Sequence, residues 1–229
     1  MAKMPEQKPF RSKQDYGTPR KFLDAVEKKF GKIVFDLAAH KGNAVCEKYF
    51  APDILKYVLN PKKIPPQEEV VQYLLNAGGN IFEVKEKVGE AYELVKNLES
   101  KVTISVSNTD ALHSGFDSLS KDWRQIRLSG NYFLNPEYED IAPWAEKCAK
   151  TDPLSCCFNS DYSFRIPLLI PASVGTNYWA EFIHNKAQVH FLNPRLSFDG
   201  IAPYPKDLCV CLYGLKPGYE CWRWDETNT

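Results

Sequence analysis

Apolar residues recur along this chain in two rhythms, and the rhythm changes where the elements change. Phe22, Leu23, Val26 and Phe30 fall on one helical face. Thr18 before Pro19 reads as an N-cap followed by the first helical position, and Gly31 ends the helix. Ile33, Val34 and Phe35 make a short buried strand that stops at Asp36, with the small residues Ala38, Ala39, Gly42 and Asn43 beyond it. The stretch 51–105 is different in character. Pro52, Pro61, Pro65 and Pro66 read as a broken connector, and Val70, Val71, Leu74 and Leu75 as one short helix closed by Gly78-Gly79. Ile81, Val84, Val88, Ala91, Val95 and Leu98 then repeat at spacings of three and four, a seam along a helix of about five turns. Residues 51–115 therefore read as a mainly helical insertion within a domain spanning 15–229.

From residue 116 onward strands and helices alternate. Asn131-Tyr132-Phe133-Leu134 is a strand that runs into Asn135-Pro136-Glu137-Tyr138, and Asp140 caps a helix with Trp144, Ala145 and Cys148 on its inner side. Residues 166–170 are a buried strand, and Thr176 to Asn185 a helix carrying Tyr178, Trp179, Phe182 and Ile183. Two further strands, 188–192 and 208–213, are separated by a Pro/Gly-rich loop with no helix, which predicts an antiparallel pair at the sheet edge. The alternation implies an α/β fold, a mostly parallel sheet wrapped by helices.

Composition narrows the function classes. The 229 residues suit one domain with an insertion, and 44% hydrophobic residues suit a packed core. The 29 Lys+Arg balance 29 Asp+Glu, which excludes a globally basic nucleic-acid-coating protein. Charge is uneven along the chain: residues 1–32 hold nine basic and four acidic residues, and 51–100 hold six basic and eight acidic. The basic stretch suits a phosphate backbone or simply a solvated tail and helix face. No apolar run reaches the ~20 residues of a membrane helix, and MAKMPEQKPF lacks the apolar stretch of a secretory signal, so a cytoplasmic location is expected. The seven cysteines are odd in number and contain no Cys-x-x-Cys, which predicts buried thiols, with Cys209 and Cys211 on one strand face. The four histidines are scattered, so no metal site is expected.

Ligands of open α/β sheets bind beyond the carboxyl ends of the strands. Asp36 and Asn135-Pro136-Glu137-Tyr138 stand at such positions. The Asn135 side-chain oxygen and the Pro136 carbonyl both accept hydrogen bonds; aimed at one point, they fit a planar amino group with two N–H donors. A ring-conjugated amino nitrogen is a poor nucleophile, and two acceptors on its protons localise its lone pair for attack on an electrophilic methyl. Tyr138 offers a flat face for the ring, where stacking is worth about 1–3 kcal/mol.

With those residues in place, the chain resembles the phage-type DNA N6-adenine methyltransferases. The resemblance rests on the ordered series YGTP (16–19), FDLAAHKGNAVCEKYF (35–50), FDSLSKDW (116–123), NYFLNPEYEDIAPW (131–144), LLIPASVGTNYW (168–179), FLNPRLSF (191–198) and APYPKDLCVCLY (202–213), and it omits the insertion. It implies a Rossmann-like methyltransferase sheet with helices on both faces, S-adenosyl-L-methionine as methyl donor, and double-stranded DNA as partner of a monomer or weak dimer. Thr18 and Pro19 match the segment beside the donor's methionine end, Asp36, Ala38 and Ala39 the donor-binding strand end, and Asp117 the loop near the donor's adenine. Asn135, Pro136 and Tyr138 match the catalytic Asn-Pro-Pro-Tyr motif, with Tyr138 stacking on a base extruded from the duplex. Pro171 and Trp179 are implied pocket walls, and Arg195 a phosphate contact.

Two departures stand out. His40-Lys41-Gly42 replaces a glycine-rich turn, and Glu137 replaces the second proline, which removes the restraint a proline places on the residue before it. A protein glutamine N-methyltransferase, or a catalytically silent methyltransferase-like module that binds nucleic acid or a partner, are the alternatives. The insertion is read as a target-recognition region or as a lid or dimer contact.

Overall fold

Alternate residues of the central strands pack on opposite faces of one sheet. The computed structural model describes residues 17–51, 54–98, 100–107, 118–151, 153–156, 162–198 and 200–225. Its strands are β1 (Ile33–Asp36), β2 (Ile54–Leu59), β3 (Val102–Ser107), β4 (Gly130–Phe133), β5 (Phe164–Pro171), β6 (Gln188–Asn193), β7 (Leu208–Tyr213) and β8 (Gly218–Arg223). Its main helices are α1 (Arg20–Phe30), α2 (Gln67–Asn76), α3 (Ile81–Asn97) and α4 (Ala142–Thr151). Six strands form a mostly parallel sheet in the order β1-β4-β5-β7-β6-β8, in which β7 alone runs against its neighbours.

Tyr132 and Leu134, Leu168 and Ile170, and Cys209 and Cys211 face one side, where they bury Ala145 and Cys148 of α4 together with Trp123, Trp179 and Ile183. Phe133, Leu169, Val210 and Leu212 face the other, against Phe22, Leu23, Val26 and Phe30 of α1. Helices therefore cover both faces, which is why β5 and β7 read as continuous apolar runs. Full burial of each such side chain is worth roughly 1.5–3 kcal/mol.

The expected pair of strands does form, since β6 and β7 are antiparallel, but it is not the edge. β7 inserts between β5 and β6, and β8 forms the edge beside β6. A polar cluster around the buried His190 docks β8. His190 of β6, opposite Glu220 of β8, places Nδ1 2.8 Å from its carboxylate, and Lys29 of α1 reaches the same oxygen at 2.8 Å. Phe30 and Trp222 stand edge-on to the imidazole. Burial lowers the His190 pKa against the pull of Glu220, so the ring is neutral near pH 7.

Other expectations shift at their ends. Pro19 occupies the N-cap of α1 with no side-chain cap bond, so Thr18 is not the cap; its hydroxyl is used elsewhere, as described below. Gly31, at φ 99°, closes α1 as expected. The stretch 176–185 is shorter than a full helix and holds a single wide turn, Trp179–Ile183.

The insertion adds a two-stranded sheet to its two helices. β2 and β3 pair antiparallel in full register from Ile54↔Ser107 to Leu59↔Val102, and α2 and α3 cover them. Of the prolines read as a broken connector, Pro61, Pro65 and Pro66 follow β2 without interrupting it, and Pro52 lies outside the described residues. Val84, Val88, Ala91 and Val95 of the seam are buried with Leu55, Tyr57, Leu59, Val70, Leu74, Ile104 and Val106, a core separate from those of the main sheet. Asn80 caps α3 by accepting from the amides of Phe82 and Glu83. Among the described residues no helix is long and apolar enough to cross a membrane, and no group of His, Cys, Asp and Glu could hold a metal ion.

Candidate functional site

The carboxyl ends of β1, β4, β5 and β6 share one rim, which the start of β7 joins through the Pro171↔Leu208 pairing. At this rim the backbone leaves β4 at Leu134, which bridges Leu168, and turns through Asn135 to Tyr138 before α4. Pro136 is buried, Asn135 and Tyr138 are half-buried, and Glu137, Glu139 and Asp140 are exposed.

Asn135 is held from two sides. Its Nδ2 donates to Thr18 Oγ1 at 3.1 Å, and its Oδ1 accepts from the Tyr138 hydroxyl at 3.0 Å. Two sequence motifs 117 residues apart thus meet at one side-chain amide. The phenol stays protonated, because burial pushes the Tyr138 pKa well above 10, with Tyr204 and Cys209 adding to the rise. It is therefore a fixed donor, and a carbonyl-type oxygen has two lone pairs, of which Tyr138 takes one.

Behind Tyr138 stands a residue that the sequence reading missed. Tyr204, from the loop between β6 and β7, meets the Tyr138 ring edge-on with centroids 5.7 Å apart, and Phe198 meets Tyr204 in the same way at 5.6 Å. The Tyr204 amide donates to Leu196 O at 2.7 Å, which fixes the loop against the rim. Aromatic residues in an otherwise Pro-rich loop, beside the rim that holds the motif, are the signal that points to it.

Asp36 ends β1 in a different role from a ligand contact. Its Oδ1 accepts from the Ala38 amide at 3.1 Å and its Oδ2 from the Val45 amide at 3.0 Å, which folds residues 37–45 back onto the strand end. The amides of Leu37 and Ala39 donate to Phe133 O and Phe50 O. Burial raises the Asp36 pKa from 3.8 to about 6, and the two amides hold it from going higher.

The other expected residues divide. Pro171 is buried at the end of β5 on the same rim as Asn135. Trp179 is 4% exposed and belongs to the core on the α4 side. Arg195 pairs with Asp207 at 2.7 Å and reaches Pro205 O at 3.4 Å, so it braces the loop that carries Tyr204. Asp117 lies outside the described residues. Cys209 and Cys211 are buried with sulfurs 3.7 Å apart, and burial pushes the Cys211 thiol well up.

A side chain on Gly17, next to Thr18, would meet no described atom within 4 Å. At the β1 end the amides of 37–39 already donate within the fold. Residues 37–39 therefore offer no free amide donor to a ligand at the β1 end.

Fold and rim together define an α/β protein with a side-chain amide clamped at the carboxyl edge of its sheet. Compared with known family models, with curated proteins and with solved structures, the chain matches none.

Proposed function

We propose that this chain is a cytoplasmic, S-adenosyl-L-methionine-dependent DNA adenine N6-methyltransferase with a Rossmann-like sheet. The observation that carries the reading is the Thr18–Asn135–Tyr138 chain of hydrogen bonds at the carboxyl rim. It joins the two motifs that the resemblance places beside the methyl donor and the target amine. When bound, the donor supplies an electrophilic methyl group. Asn135 Oδ1 and the Pro136 carbonyl accept hydrogen bonds from the amine's two N–H groups, and Thr18 holds the amide through its Nδ2. Tyr138, braced by Tyr204, stacks on the extruded ring.

Two observations favour second readings. The amide oxygen required by the amine already accepts from Tyr138, which suits a silent module. The exposed Glu137, Glu139 and Asp140 beside the motif repel phosphates, which suits a protein glutamine amide as the acceptor.

Purified protein with methyl-labelled S-adenosylmethionine separates the three. Label in unmethylated duplex DNA that survives protease supports the adenine reading, and label in a glutamine-containing peptide supports the amide. Donor binding with no transfer to either supports the silent module. Asn135→Ala should abolish transfer and leave donor affinity unchanged; transfer that survives it contradicts the role given to Asn135.

A further inference from the structure

We propose that two copies of this chain associate through β8, edge to edge, as an antiparallel two-fold pair centred on Cys221. The proposal goes beyond the reading of the rim and does not rest on it. β8 ends the main sheet beside β6 and pairs with no other strand among the described residues. The opposite edge differs: Asp36 N donates to Lys48 O and Phe50 N to Asp36 O, so residues 48–50 cover the end of β1. Along β8, Gly218 N donates to Ala187 O, and just beyond it Trp224 N donates to Asn193 O, which turns the even-numbered amides toward β6. The amides and carbonyls of Tyr219 and Cys221 therefore point outward, as a template for another strand. The strand is held firmly for that use, because Trp222 is buried and Glu220 is bonded to His190 and Lys29. Gly218–Arg223 contains no proline or lysine and pairs with β6 without a bulge, so the common devices that blunt an edge are not used.

The sequence of β8 selects a second copy and one register. A two-fold axis centred on Glu220 would oppose two carboxylates, which is destabilising. Centred on Trp222, it would press together two indoles that already pack on Phe22 and Phe30. Centred on Cys221, it lets Cys221 exchange both backbone hydrogen bonds with its own copy. The same register sets Tyr219 across from Arg223 of the second copy on the exposed face, a ring beside a guanidinium, and opposes no like charges. The two carboxyl rims then face in opposite directions.

Light scattering of the full chain across a dilution series, in reducing buffer, tests this with wild type, Cys221→Ser and Cys221→Lys. Cys221 is exposed, and unchanged circular dichroism checks that the variants fold. Wild type and Cys221→Ser should dimerise with dissociation constants within about twofold of each other. Cys221→Lys, which sets two ammonium groups across the axis, should weaken the dimer by about fivefold or more. Cα atoms of such a central pair lie about 5.5 Å apart, within reach of a disulfide, so mild thiol oxidation should link wild type and not Cys221→Ser. A Cys221→Lys dimer as tight as wild type, or a Cys221→Ser protein that links as readily as wild type, places the contact elsewhere and overturns the proposal. A wild type that stays monomeric at every concentration also overturns it, and leaves the edge to a strand of another protein.

Discussion

Replacing Asp36 by Asn should change how stability depends on pH, and the structure sets the size. The carboxylate is 3% exposed and its pKa is raised from 3.8 to about 6. Between about pH 4 and pH 6 the folded chain holds a proton on Asp36 that the unfolded chain has released. Stability contributed by this group is thus greatest in acid, declines as pH rises through that window, and is flat above it. The linkage relation gives about 2 kcal/mol present at pH 4.5 and essentially none at pH 7.5. Asn cannot titrate, so its cost is constant: one of its N–H groups faces the amide of Ala38 or Val45 that Asp36 had bonded. Urea unfolding of both proteins at several pH values checks this. The variant should be more destabilised, relative to wild type, at pH 4.5 than at pH 7.5 by about 2 kcal/mol. Other carboxylates titrate in both proteins and cancel in the difference. Parallel stability curves would mean that Asp36 is not desolvated and that the loop 37–45 is not folded onto it.

Two further outcomes follow from single contacts. Tyr138→Phe removes the donor on Asn135 Oδ1 and should cost about 1 kcal/mol in thermal or urea unfolding. If the adenine reading holds, it should also slow methyl transfer by about tenfold, because the amide loses one of its two holds, with donor affinity unchanged by titration. Gly130→Ala should destabilise by more than about 2 kcal/mol in urea unfolding, because φ is 138° and the added carbon would lie 2.8 Å from Val34 Cγ1 and 3.0 Å from Lys32 O.

The sheet was legible because its strands are buried on both faces and its helices are amphipathic. β5 and β7 announce themselves as apolar runs, and the face of α1 is the one that the 22, 23, 26, 30 spacing predicts. What escaped depended on distant partners. β2 has no clean alternation, and its pairing with β3 lies across two helices, so a run between prolines gave no local sign of a strand. β8 is half exposed and is held by His190 and Lys29, residues that read as ordinary in their own segments. The site was legible as a motif and not as a geometry. Thr18 looks like a helix cap because caps are the common use of Thr before Pro, yet its hydroxyl serves a residue 117 positions away. Asp36 looks like a ligand group because strand-end carboxylates often are, yet its oxygens bind the amides of its own loop.

The same geometry bears on the residue that most departs from the resemblance. A second proline at 137 would hold Pro136 extended and so fix the direction of its carbonyl. Here Glu137 is exposed and supplies no such restraint. The contacts that the structure shows act on the other acceptor, Asn135. Pro136 restricts Asn135 from the other side, and its own ring fixes its φ. The Asn135 amide is held by Thr18 and Tyr138, Tyr138 is backed by Tyr204, and Tyr204 is tied to a loop clasped by Arg195 and Asp207. Apart from the Tyr138–Asn135 bond inside the tetrapeptide, these links bring in residues from outside it, so the rim is positioned by tertiary packing as well as by the tetrapeptide itself. On this argument Glu137→Pro restrains the Pro136 carbonyl and leaves the Asn135 amide as it is, and the residues whose loss should loosen the amide are Thr18 and Tyr138.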